Sequence, residues 1–244
     1  MIKRAIFVLT SPEAGEQFLR VLPDLRDIGL AEATLLHLVS AQPGPVEPMP
    51  ELANWVRHFE AAIPKVELAL KRGDPVRWIY ELARVRHVDI VVVSGIPNGT
   101  DWDFERVSSP LRTLGTPILY LPDEEIEGSL GEKVLVAVRS PDTLETAVPA
   151  LKEWFGRVPL SAVRVAQTDE NGNVLQNDGV SLETVVEVDD IASTLLRQAD
   201  ECGATLLTIL ADENSAADDS SRGTPVVKPL IENTNRPVLI WPTR

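Results

Sequence analysis

The residues best suited to chemistry lie at the end of one apolar run. His87 to Gly99 reads HVDIVVVSGIPNG, in which Val88 to Val93 stops abruptly at Ser94-Gly95 and Gly99 closes a short loop. A β-branched run cut off by glycine is what a strand buried on both faces looks like. Glycines after such a strand let backbone amides approach an anion, so Gly95 and Gly99 mark a place where a phosphate could sit. In an open α/β sheet, ligands bind outside the carboxyl ends of the strands, where the connections diverge to opposite faces. Other chemistry finds little support. His37, His58 and His87 fall on a predicted strand, helix and turn, and none has metal-ligand spacing with cysteine or carboxylate. The chain holds no Gly-x-Ser-x-Gly elbow and no Walker A loop. No catalytic residue and no metal site are identified, and the expectation is a protein that is not an enzyme.

Composition narrows the partners. The 244 residues carry 37 acidic and 23 basic side chains, a net charge of −14, which disfavours nucleic acid and anionic membrane surfaces. A single cysteine, Cys202, excludes an internal disulfide and fits a reducing compartment. The opening MIKRAIFVLTSPEAG is too short in its apolar part for a signal peptide, and no apolar run nears the ~20 residues of a membrane span. A cytoplasmic location is expected.

The elements that would position the glycine loop can be read in order. Lys3–Thr10 is a strand, and Ser11-Pro12 starts a helix that Gly29 ends. Ala33–Val39 is a strand, Glu51–Ala62 a helix with Trp55 on its core face, and Val66–Leu70 a third strand. Gly73-Asp74-Pro75 opens a helix over Val76–Val85, with Trp78 also assigned to a core face. The apolar strand, the glycine loop, a helix near Pro110–Leu114 and a strand Ile118–Leu121 complete five strands. The acidic segment 123–130 reads as a linker. The same order then recurs: RAIFVLTSPE lies on KVLVAVRSPD, Asp74 and Ala83 on Asp190 and Ala199, and TPILYLP on RPVLIWP. A tandem duplication explains three matches in one order. The expected fold is therefore α/β, two doubly wound five-stranded parallel-sheet domains over 1–122 and 131–244. The second repeat replaces the helix Glu51–Ala62 with the polar segment TDENGNVLQNDG.

In order and spacing, the Leu-Leu-His-Leu-Val strand, the Gly-Asp-Pro helix start, Val-Asp-Ile-Val-Val-Val-Ser-Gly and Pro-Ile-Leu-Tyr-Leu together resemble the universal stress protein family. The resemblance implies a Rossmann-like tandem protein whose halves form an internal pseudo-dimer, with Ile118–Leu121 and Val238–Trp241 expected at the contact. It also implies where a nucleotide would bind in the first domain. The positions are Thr10 and Ser11 after the first strand, Leu38 and Val39 facing the adenine, Gly95 and Gly99 on the phosphates, and Ser108 and Ser109 at a helix start. This chain departs from the family pattern there. Thr10 replaces an acidic residue, Gly95 and Gly99 stand one residue too far apart, and Ser108-Ser109 replaces Gly-Ser. Asp101, Asp103 and Glu105 crowd the loop. In the second repeat Arg139 takes the acidic position, with Asp212 or Glu213 as its expected partner. Three functional classes remain. The leading one is a non-enzymatic stress-response or regulatory protein that acts through protein contacts, requires no cofactor, and has a homo-oligomer as one possible form. The second is an ATP or AMP sensor using the first crevice. The third is an enzyme with weak ATP hydrolysis, which no identifiable base or metal site supports.

Overall fold

The computed structural model describes residues 1–39, 50–95, 104–124, 126, 128–138, 141–156, 159–166, 181–186, 190–212 and 226–243. The chain divides into two compact units, Met1–Ile126 and Glu127–Arg244, each taken by itself below. The described residues of the first form strands β1 (Arg4–Leu9), β2 (Glu32–Val39), β3 (Lys65–Arg72), β4 (Ile90–Ser94) and β5 (Ile118–Leu121). Helices α1 (Pro12–Asp27), α2 (Leu52–Ala62), α3 (Pro75–Arg86) and α4 (Phe104–Leu114) connect them. The strand order is β3-β2-β1-β4-β5, and every adjacent pair is parallel. This is the doubly wound sheet the sequence predicts.

Each element has a local cause. β1 and β4 are buried along almost their whole length, as strands covered on both faces must be. The Ser11 hydroxyl accepts from the Ala14 amide at 3.2 Å and Pro12 occupies the first turn, so α1 starts with a capped end and a preset φ. Gly29, at φ +109°, turns the chain out of α1 into β2. The core gathers on β1: Phe7 meets Phe18 of α1 and Phe59 of α2 edge-on, at 5.3 and 4.8 Å between ring centres. Trp55 is fully buried against α1, as its predicted core position requires. Trp78 differs from its predicted core position. It is half-buried, its indole N–H donates to the Arg72 carbonyl at 2.8 Å, and Lys71 Nζ stands 4.6 Å from the ring centre.

The second unit comprises β6 (Val134–Val138), β7 (Leu160–Ala166), β8 (Ser181–Val186), β9 (Leu206–Asp212) and β10 (Val238–Thr243), with α5 (Pro141–Phe155), α6 (Ile191–Cys202) and α7 (Val227–Asn233). Its order, β8-β7-β6-β9-β10, repeats that of the first unit. Local devices repeat too. Asp74 and Asp190 each cap a helix through a backbone amide, at 3.0 and 3.2 Å. Each helix ends on a left-handed residue, His87 in one unit and Gly203 in the other. Asp89 Oδ2 accepts from the Lys3 and Arg4 amides at 2.8 and 2.9 Å, and at the matching place Thr205 Oγ1 accepts from the Lys133 amide at 3.1 Å. The Asp inside the apolar run thus clamps the entry of β1. Among the described residues no helix is long and apolar enough to cross a membrane.

Candidate functional site

In the first unit the strand order reverses direction between β1 and β4, and there a ligand crevice is expected. β1 ends at Leu9 and β4 at Ser94, so Thr10, Ser11 and Gly95 come to the ends of adjacent strands. The Thr10 hydroxyl donates to the Ser94 carbonyl at 3.2 Å, tying the two strand ends together. Leu38 and Val39, half-buried, are the last residues of β2. They overhang β1, whose register stops at Leu9 opposite His37, and pair only with Lys71 and Arg72 of β3. His37 is buried with Nδ1 3.4 Å from the Leu9 carbonyl, a packing role at a strand end.

Gly95 follows the last residue of β4 directly. It takes φ +63°, its amide donates to the Leu121 carbonyl at 3.3 Å, and a Cβ placed on it would lie 2.4 Å from Asp123 Oδ1. The open side of the glycine is thus covered by a carboxylate of its own chain. Burial first, and the Glu13 carboxylate second, push the Asp123 carboxyl above the usual range. Glu13 is held below that range by its own backbone amide and then by the Ser11 hydroxyl. The α1 N-terminus, a ready anion site in most folds, therefore already has an anion of its own. Tyr120, buried and beside Asp123, is pushed up to about 12 by burial and then by that charge.

Gln17 fixes the segment after β5. Its amide N–H donates to the carbonyls of Asp123 and Glu124 at 3.0 and 2.9 Å, so these two residues of the expected linker are held by α1. Gln17 Oε1 and Ser94 Oγ are buried without a hydrogen-bond partner among the described residues. Asp123, Glu13 and Gln17 were not singled out from the sequence. Gln17 carried a usable signal, a polar residue on the stripe of Ala14, Phe18, Val21 and Leu25, all buried in α1.

Ser108 and Ser109 lie elsewhere than predicted. α4 begins at Phe104, so both serines sit inside the helix, Ser108 buried and Ser109 exposed, and neither opens a helix N-terminus. The helix expected near Pro110–Leu114 extends back to Phe104, which leaves Pro110 in its interior. Inside α4 it forgoes one backbone hydrogen bond, while Val107 and Leu111 keep the buried stripe running through it. Gly99, Asp101, Asp103, Arg139 and Glu213 lie outside the described residues, and with them the glycine-loop spacing and the Arg139 pair. Among the described residues no group of three or more His, Cys, Asp or Glu could hold a metal.

No family model and no curated protein matches the sequence. Solved structures do. A universal stress protein from Archaeoglobus fulgidus DSM 4304 is 16% identical, with 98% of this chain and 95% of that one covered at a TM-score of 0.69. The fold is that of the universal stress proteins. A putative universal stress protein from Pseudomonas aeruginosa UCBPP-PA14 follows at 12% identity, 98% and 93% coverage and TM-score 0.57. The cytoplasmic domain of a prokaryotic cation chloride cotransporter matches at 12% identity, 98% and 94% coverage and TM-score 0.51. At these identities the likeness to universal stress proteins carries the fold and nothing finer.

Proposed function

We propose that this chain is a non-enzymatic stress-response or regulatory protein of the universal stress protein type, which acts through protein contacts and whose nucleotide sites are largely lost. The supporting observation is the covered glycine. The Gly95 amide and its open side are both taken, by Leu121 and Asp123, at the place where a phosphate would need them. Glu13 beside Asp123 adds like charge to the same crevice, and a triphosphate entering it would meet repulsion from both. No cofactor is required on this account.

The second reading, an ATP or AMP sensor in the first unit, is favoured by one feature. The backbone of Leu38 and Val39 overhangs β1, where an adenine edge would find it. Calorimetric titration of the intact protein with ATP and with AMP separates the two. The proposal expects no saturable heat for the wild type. Micromolar binding that weakens on substituting Gly95 or Thr10 would support the sensor instead.

A further inference from the structure

Among the described residues β3 is the outermost strand of its sheet in the first unit, and it carries Leu68 and Leu70, 43% and 44% exposed, on one face. Unpaired edges with apolar side chains invite another strand. The backbone shows which residues could receive it. In a parallel ladder alternate residues turn both polar groups to the same neighbour. Lys65 donates its amide to Ala31, so Lys65, Glu67, Ala69 and Lys71 face β2, leaving the polar groups of Val66, Leu68, Leu70 and Arg72 outward. The Arg72 carbonyl is already taken by Trp78.

An antiparallel partner must set outward residues opposite outward residues, which for two identical strands requires the two-fold axis to pass through a residue. Each choice has a different consequence. An axis at Glu67 sets that carboxylate against itself. One at Leu68 puts Lys65 opposite Lys71, and one at Leu70 leaves Glu67 opposite Gly73. With the axis at Ala69, Glu67 meets Lys71 of the second copy twice over, and Leu68 meets Leu70 twice over. The two leucine pairs are then the hydrogen-bonded ones. Ala69 meets itself at a non-bonded position, where the Cα atoms approach to about 4.5 Å and a small side chain fits best.

We propose that the chain self-associates through β3, antiparallel, about a two-fold axis at Ala69. The occupant of the edge is a second copy because the segment Glu-Leu-Ala-Leu-Lys is complementary to its own reverse in charge and in apolar pairing. Glu67 also bridges Arg86 of α3, and Lys71 lies over Trp78 of α3, so the two charges share one face of β3 with Ala69 between them. A two-strand contact falls short of the roughly 1,200 Å² of a standard interface, so the dimer dissociates on dilution. This inference does not depend on whether the crevice binds nucleotide.

Sedimentation velocity of the full chain over a dilution series tests it. The wild type is expected to shift from dimer to monomer on dilution. Lys71→Glu, which makes both charge pairs repulsive, should raise the dissociation constant about tenfold, and Glu67→Lys combined with Lys71→Glu should restore association. In a Cys202→Ser background, Ala69→Cys should oxidise to a covalent dimer and Leu68→Cys should not, since Leu68 faces Leu70. A monomer at every concentration would overturn the proposal. So would a dimer indifferent to the charge variants, or cross-linking through Leu68→Cys as readily as through Ala69→Cys.

Discussion

Gly15 sits in α1 where α2 crosses it, and replacing it with alanine sets two known effects against each other. Helix propensity favours the change by up to about 1 kcal/mol. Packing opposes it. The new Cβ would lie 2.3, 2.5 and 2.6 Å from Cε2, Cζ2 and Cδ2 of Trp55, against the roughly 3.5–4.0 Å of carbon–carbon contact. The indole would have to retreat by more than an ångström, yet Trp55 is 1% exposed and its Nε1 donates to Glu16 at 3.2 Å. Overpacking of this kind typically costs about 1–3 kcal/mol, and three ring atoms in conflict place this site at the upper end. The net expectation is a loss of about 1–2 kcal/mol. Urea unfolding followed by circular dichroism and tryptophan fluorescence reads it, with Trp55→Leu as the partner in a double-mutant cycle. In the Trp55→Leu background Gly15→Ala should be close to neutral. A stabilised Gly15→Ala single variant would refute the close packing of α1 on α2.

Asp89→Ala leaves the Lys3 and Arg4 amides without their acceptor and should lower the thermal midpoint, by about 1–2 kcal/mol in stability. Asp74→Ala removes the cap of α3 and should cost about 0.5–2 kcal/mol, measured by denaturant unfolding. Tyr120 keeps its proton up to about 12 in the fold against about 10 when unfolded. Its contribution is therefore full below pH 10 and lost as pH rises from there to 12, and Tyr120→Phe should flatten that alkaline decline. The Asp123 carboxyl is likewise raised, so its contribution is present at low pH and lost as pH rises through the folded value. Asp123→Asn should accordingly stabilise the protein at neutral pH more than at acid pH, and equal effects at both would count against burial and the Glu13 charge as the cause.

The legible parts were those with local causes. Buried parallel strands are continuous apolar runs, and Ser11-Pro12, Gly29 and Asp74-Pro75 mark helix boundaries through backbone chemistry a reader of the sequence can apply. The candidate site was legible only as a region. Gly95 was found because glycine after a buried strand is conspicuous. What covers it was not, because Asp123 is 28 positions away in sequence, in a stretch whose composition is that of a linker. Only β5 beside β4 brings the two together. The serines of α4 were misplaced because the helix is expected only near Pro110–Leu114, whereas the apolar stripe of Val107 and Leu111 runs through a helix that begins at Phe104.

The most direct test of the central claim is mass spectrometry of any nucleotide released by denaturing the purified, intact protein. A crevice whose glycine is covered by Asp123 and whose helix start is occupied by Glu13 should release none. ATP or AMP recovered in near-stoichiometric amount would contradict the account, since a phosphate would then be held where the structure has a carboxylate.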